Sequence, residues 1–183
     1  SRDHTEHMLR HFGVEVNTQI NLDGSYIASV TGGITLQAND IIVPRDPSSA
    51  AFLIVAALIT KNSQLLLPTI GMSPERIGLI TTLREMRGRI EISNQREVGG
   101  EQVADIKVSS SQLKGIVIPS DRAPSMIDEY PILCIAAAMA TGPSLMENIG
   151  ELRHKEADRI AIMAKGLRLA GVTVDETETS MRV

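Results

Sequence analysis

The sequence has 183 residues, room for one large domain or two small ones, and an apolar fraction of 43% that is ordinary for a folded protein. Eighteen Lys and Arg against 22 Asp and Glu leave a formal net charge of −4, without the basic excess of a nucleic-acid binder, and two Tyr, two Phe and no Trp offer few platforms for stacking bases or sugars. The single cysteine, Cys134, excludes a disulfide framework within the chain, and no run is long and apolar enough to cross a membrane, the best candidate being residues 52–59.

In chain order, Asp3 reads as the N-cap of a first helix, with Glu6 three residues on as in a capping box, Met8, Leu9 and Phe12 as its apolar positions, and Gly13 just past its end. Strands are expected at 14–20, 26–31 and 34–37, with Asp23-Gly24 as the hairpin turn between the first two. Residues 41–44 lead out as an extended connector, and the likeliest domain boundary falls near Val43-Pro44. Asp46-Pro47-Ser48-Ser49 then starts a helix that is apolar nearly all round over 50–59 and is therefore expected to be buried. A strand follows at 64–67, a helix from Ser73 carrying Ile77, Ile80, Leu83 and Met86, and strands at 89–92, 105–108 and 116–118. The second half repeats this order: an apolar helix over about 130–140, a strand at 144–148, a helix carrying Ile160, Met163 and Leu167, and a strand at 172–175.

The repeat has a register. Ile70-Gly71 matches Ile149-Gly150 at an offset of 79, whereas Glu75-Arg76-Ile77 matches Asp158-Arg159-Ile160, and Gly88 matches Gly171, at an offset of 83. Four extra residues therefore enter the second copy around Leu152-Arg153-His154-Lys155. Two such copies imply a repeated α/β architecture with buried helices covered by sheets. Cys134, within an apolar run, reads as buried core; with no signal peptide, a reducing cytoplasm is the default. The chain opens on Ser1 without a Met and stops inside an alternating stretch at Met181-Arg182-Val183, so it is expected to be an incomplete fragment of something longer.

The inserted segment is the first candidate for chemistry. If it is helical, Lys155 and Arg159 share a face, an arrangement that a phosphate or carboxylate would satisfy, with Glu156 beside them able to move a proton. The alternative is a solvated helix laced by Glu151–Lys155 and His154–Asp158 pairs. Asp128, before the second apolar helix, is either a helix cap or a base that takes a proton from a substrate hydroxyl. Arg2 lies just before a helix start, where anions are favoured. His4, His7 and His11 share a face, but no carboxylate or Cys completes a convincing metal set, and surface histidines are the simpler account. The Gly-rich phosphate and dinucleotide loops, Cys-x-x-Cys and the Gly-x-Ser-x-Gly elbow are all absent, so no nucleotide or redox cofactor is indicated.

Four stretches together resemble bacterial 5-enolpyruvylshikimate-3-phosphate synthases: Ser1-Arg2-Asp3-His4-Thr5-Glu6 with Met8-Leu9; Asp46-Pro47-Ser48-Ser49-Ala50-Ala51-Phe52; Arg122-Ala123-Pro124-Ser125-Met126-Ile127-Asp128-Glu129-Tyr130-Pro131; and Glu151-Leu152-Arg153-His154-Lys155-Glu156-Ala157-Asp158-Arg159. The resemblance covers the whole chain, in order. It implies two lobes of βαβαββ units, with residues 1–43 the end of one lobe and 44–183 two units of the other, about 44–119 and 120–183. The active site would lie between the lobes.

The implied reaction, a step of the shikimate pathway of aromatic amino acid biosynthesis, is transfer of the carboxyvinyl group of phosphoenolpyruvate to the 5-hydroxyl of shikimate 3-phosphate, with release of phosphate. It implies roles too: Asp128 as proton acceptor, Lys155 at the reacting hydroxyl, Glu156 as proton donor to the methylene carbon, Arg159 for phosphoenolpyruvate and Arg2 for shikimate 3-phosphate. The intact enzyme would be a cytoplasmic monomer without cofactor or metal. Arg45 stands where the family often has Gly, and His154 and Ala157 replace the commoner Val and Ser. The family's Lys-Ser loop, its Ser-Ala-Gln segment and further phosphoenolpyruvate-binding cations fall outside these residues, as do those that set glyphosate sensitivity, so the fragment alone is expected to be inactive. A sister transferase acting on UDP-N-acetylglucosamine matches the motifs less well; a non-catalytic binding module is the alternative outside enzymes.

Overall fold

The computed structural model describes residues 2–183. Helix α1 (His4–His11) starts after Asp3, but the capping box does not form. The Asp3 carboxylate lies 3.0 Å from His7 Nε2 one turn on, and that hydrogen bond competes for the cap. Strands β1 (Val16–Ile20) and β2 (Tyr26–Val30) pair antiparallel, Val16 opposite Val30 and Ile20 opposite Tyr26. Gly24 at the turn has φ +80, and Asp23 accepts bonds from the Ser25 hydroxyl and N–H. The strand expected at 34–37 is absent: the segment is tied to the end of α1 by a 2.9 Å bond from Gln37 N–H to the Phe12 carbonyl and pairs with no described strand.

The body is one strand–helix–strand step used twice. In the first, Arg45 pairs in parallel with Ile70, and helix α2 (Pro47–Ile59) joins that segment to strand β3 (Gln64–Gly71). In the second, Val117 pairs in parallel with Leu145, and helix α4 (Tyr130–Ala138) leads to strand β6 (Leu145–Met146). Each step continues through a second helix, α3 (Gly78–Glu85) or α5 (Arg159–Leu169), into two more strands. These are β4 (Arg89–Val98) and β5 (Glu101–Ser109) in the first copy, and β7 (Asp175–Glu176) and β8 (Met181–Arg182) in the second. The sheet orders correspond, β3-β5-β4 and β6-β8-β7, with antiparallel neighbours. The chain is thus a mixed α/β fold in which the order βαβαββ occurs twice.

Local departures have local reasons. The helix expected from Ser73 begins with a separate 3-10 turn, Pro74–Arg76, before α3. The strands of the second copy are two-residue ladders, and residues 116–118 contribute a single bridge. Helices α2 and α4 pack on each other and supply the centre of the core, with Ile54, Leu58, Leu133 and Ala136 wholly buried beside Ile106 and Met146. α2 is not buried all round, since Phe52 and Leu53 are more than half exposed.

Gly115 sits where the two copies join. A Cβ there would stand 2.2 Å from the Pro143 carbonyl oxygen and 2.3 Å from that of Gly142, both rigid backbone. Gly115→Ala is expected to cost on the order of 2 kcal/mol in a denaturant titration of the intact protein; an unchanged midpoint would show that the backbones separate freely.

Cys134 is 2% exposed, its Sγ 3.5 Å from Met181 Sδ and 3.7 Å from Met146 Sδ, and burial pushes its thiol up to about 12. An aromatic disulfide reagent is expected to leave it unmodified at neutral pH until denaturant is added. Prompt labelling of the native protein would contradict this packing.

Candidate active site

The chain between Met126 and α4 forms a 3-10 turn, Ile127–Glu129, that presents Asp128 at the helix N-terminus. No side chain caps α4. Asp128 instead faces three cations: Arg2 Nη2 at 3.5 Å, Arg159 Nη1 at 3.3 Å and Lys155 Nζ at 3.7 Å. Its carboxylate remains 39% exposed, so it is reachable from the cleft. Residues 2, 128, 155 and 159, far apart in sequence, thus meet around one carboxylate.

The inserted segment does not form the continuous helix on which Lys155 and Arg159 would share a face. Gly150–His154 is a 3-10 turn, Lys155 has extended backbone (φ −74, ψ −165), and α5 begins only at Arg159. The two cations converge because the chain folds back between them. Asp158 caps α5, accepting the Ala161 N–H at 2.9 Å, which sets the direction in which Arg159 leaves the helix.

Of the two pairs expected for a plain surface helix, Glu151–Lys155 is present at 2.8 Å. His154–Asp158 is not, because Asp158 binds Arg153 Nη1 at 2.7 Å. The hydrogen bond to Glu151, and then the charge of Asp128, hold Lys155 protonated by raising its pKa. Glu156 is 71% exposed and accepts three bonds from Arg159, at 3.1, 2.8 and 3.0 Å. Its own backbone N–H and Arg159 hold its carboxyl below the usual range, so it is ionised in this arrangement.

The first copy carries a counterpart. Arg76 Nη2 lies 2.7 Å from Asp46 Oδ1, and Asp46 stands before α2 as Asp128 stands before α4. There, however, Asp46 spends its oxygens on the Ser48 and Ser49 N–H groups, and Arg76 also donates to the Ser48 hydroxyl. The extra residues in the second copy deliver Lys155 and Glu156 instead. An open cleft of about 630 Å³ adjoins Asp128, bounded by Arg2, Pro74, Asp121, Ser125 and Lys155. A second cavity of about 400 Å³, walled by Met8 and Ile41–Pro44, is lined by Asp46 and Arg76 but by none of Arg2, Asp128, Lys155, Glu156 and Arg159. Of the other residues at this site, Asp121 carries no signal in the sequence, Ser125 falls inside the Arg122–Pro131 stretch of the family resemblance, and Glu151 opens the 151–159 stretch, four residues before Lys155.

The three histidines of α1 are engaged separately: His4 Nδ1 with Glu101 at 2.8 Å, His7 with Asp3, and His11 Nε2 with the Asp40 carbonyl at 2.9 Å. Among the described residues no group of three or more His, Cys, Asp or Glu side chains is arranged to hold a metal ion.

Carboxylates such as Asp158, lowered by the Ala161 N–H, and Glu85, lowered by its hydrogen bonds to Arg122, make stability depend on pH. Both folded values are depressed, so their contribution is present above the ordinary values of 3.8 and 4.5 and is lost as the pH falls through the folded ones. The thermal midpoint of the intact protein is expected to hold level down to about pH 5 and to fall below about pH 4, with Asp158→Asn and Glu85→Gln each making the fall shallower. A fall that is equally steep in both variants would remove these pairs from the explanation.

The family model for EPSP synthase (3-phosphoshikimate 1-carboxyvinyltransferase) matches residues 1–183. The chain is 51% identical over 181 residues to the 3-phosphoshikimate 1-carboxyvinyltransferase of Zymomonas mobilis, covering 99% of this chain and 40% of that protein. It is 53% identical over 183 residues to that of Parvibaculum lavamentivorans, covering 100% and 41%. A solved structure of EPSP synthase from Acinetobacter baumannii superposes with a TM-score of 0.94 at 44% identity, covering all of this chain and 40% of that one. The chain therefore spans about two fifths of the length of the relatives it matches.

Proposed function

Because the chain belongs to the EPSP synthase (3-phosphoshikimate 1-carboxyvinyltransferase) family, we propose that the protein containing it transfers the carboxyvinyl group of phosphoenolpyruvate to the 5-hydroxyl of shikimate 3-phosphate and releases phosphate. The observation that carries this reading is the convergence of Arg2, Lys155 and Arg159 on Asp128. Both substrates are polyanions, and each needs cations where it reacts.

In this reading Arg2 binds shikimate 3-phosphate and Arg159 binds phosphoenolpyruvate. Asp128 accepts the proton of the 5-hydroxyl, whose oxygen bonds to the enol carbon of phosphoenolpyruvate, while Glu156 delivers a proton to the methylene carbon. Lys155 contacts the reacting hydroxyl and supports the transfer. Loss of a proton from the resulting methyl group and departure of phosphate then restore the double bond in the product. Glu156 must hold a proton to act as the donor. Its own backbone N–H and Arg159 hold its carboxyl low, and a substrate anion that draws Arg159 away removes the second of these and so moves the pKa of Glu156 upward.

Lys155, Glu156 and Arg159 would line one wall of a two-walled site, with residues 1–43 the end of one lobe and 44–183 two units of the other. The protein would act as a cytoplasmic monomer without nucleic-acid or membrane partners. The net charge of −4, without a basic excess, speaks against a nucleic-acid partner, and among the described residues no helix is long and apolar enough to cross a membrane.

With both substrates, the intact protein is expected to release phosphate, and Lys155→Ala and Asp128→Ala to lose on the order of 100-fold or more in kcat. Turnover within about threefold of the parent in both variants would reject these roles. Residues 1–183 alone are expected to release no phosphate above background.

A further inference from the structure

Two residues of the inserted segment, Arg153 and Asp158, touch neither Asp128 nor the cleft. Arg153 is 15% exposed and points away from the site, into the turn between β7 and β8. Its guanidinium is fully engaged there. Nη1 binds Asp158 Oδ2 at 2.7 Å, Nε donates to the Glu178 carbonyl at 3.0 Å, and Nη2 donates to the Thr177 carbonyl and approaches Glu176 at 3.4 Å. The other Asp158 oxygen caps α5.

Between these two residues run His154, Lys155, Glu156 and Ala157. Among the described residues, no backbone hydrogen bond to another segment anchors 155–157. The corresponding stretch of the first copy needs no such anchor, because it passes from Met72 directly into the 3-10 turn Pro74–Arg76. The four additional residues create a loop, and the loop is held from behind by one bidentate-capable cation and one helix-capping anion. Arg153 rather than Lys suits this place, since a planar guanidinium can serve a carboxylate and two carbonyls at once.

We propose that Arg153, clasped to Asp158, is a positioning residue for the proposed carboxyvinyl transfer. It closes the loop from its far side and so fixes where Lys155 and Glu156 stand relative to Asp128. This rests on the function proposed above. A displacement of about 1 Å in a reacting group can lower a rate about 100-fold, and the loop's other ties, Lys155 to Glu151 and Asp128 and Glu156 to Arg159, run through the site's own side chains rather than through a support behind them.

The test uses the intact enzyme and a control on the same turn. Arg168 also binds this hairpin, through Glu176 at 2.9 Å and the Val174 carbonyl at 2.9 Å, but it does not touch the loop. Arg153→Ala is expected to lower kcat roughly 30-fold or more with the KM for shikimate 3-phosphate within about threefold, and added guanidinium ion to restore part of kcat. Arg168→Ala is expected to keep kcat within about threefold and to gain nothing from guanidinium.

A second readout needs no substrate. Trypsin cleavage after Lys155 in the folded protein is expected to accelerate about tenfold or more in Arg153→Ala and not in Arg168→Ala. Equal kcat and equal cleavage in the two variants would overturn the inference. An intact parent protein that fails to turn over shikimate 3-phosphate would overturn the functional reading instead, and the cleavage rates would still decide whether Arg153 holds the loop.

Discussion

One carboxylate organises the site. Asp128 is held at the start of a buried helix, and Arg2, Lys155 and Arg159 all reach it. Three cations placed this close repel one another, and Asp128, with Glu151 and Glu156 behind Lys155 and Arg159, neutralises them. Such a cluster is poised to exchange internal anions for external ones. In the proposed reaction each substrate anion that enters would take over a cation already in place, so little reorganisation would be needed at the moment of reaction.

The cluster rests on a duplicated fold. Both copies place an aspartate before a buried helix and an arginine at the head of the next one, and both pairs meet, Asp46 with Arg76 and Asp128 with Arg159. In the first copy the aspartate is consumed by capping and the pair closes on itself. In the second, the capping task falls to no side chain, and four added residues bring Lys155 to the Asp128 carboxylate and Glu156 to Arg159. The difference between a structural ion pair and a candidate catalytic one is thus a short insertion, a missing cap, and the Arg153–Asp158 clasp that gives the insertion a fixed shape.

Much of this was legible in the sequence, for definite reasons. The offset change from 79 to 83 located the insertion because glycines and apolar positions keep register in a repeat. Asp46-Pro47 and Asp23-Gly24 announced a helix start and a turn through chemistry that acts within four residues. What failed was longer-ranged. The helical face assumed for Lys155 and Arg159 ignored that Arg153 prefers the carbonyls of a turn more than twenty residues on. The strand at 34–37 had the right alternation but pairs with no described strand. The approach of Arg2 to Asp128, across 126 positions, rests on tertiary packing that no local pattern encodes; only the family resemblance brought the two into one site.

If Asp128 both balances these cations and takes up the substrate proton, binding and chemistry should separate when its charge alone is removed. The direct measurement is titration of the intact Asp128→Asn protein with shikimate 3-phosphate, beside its rate of phosphate release with both substrates. Retained or tighter binding with turnover lowered about 100-fold or more is the expected result. Turnover retained, or binding lost in step with turnover, would contradict it.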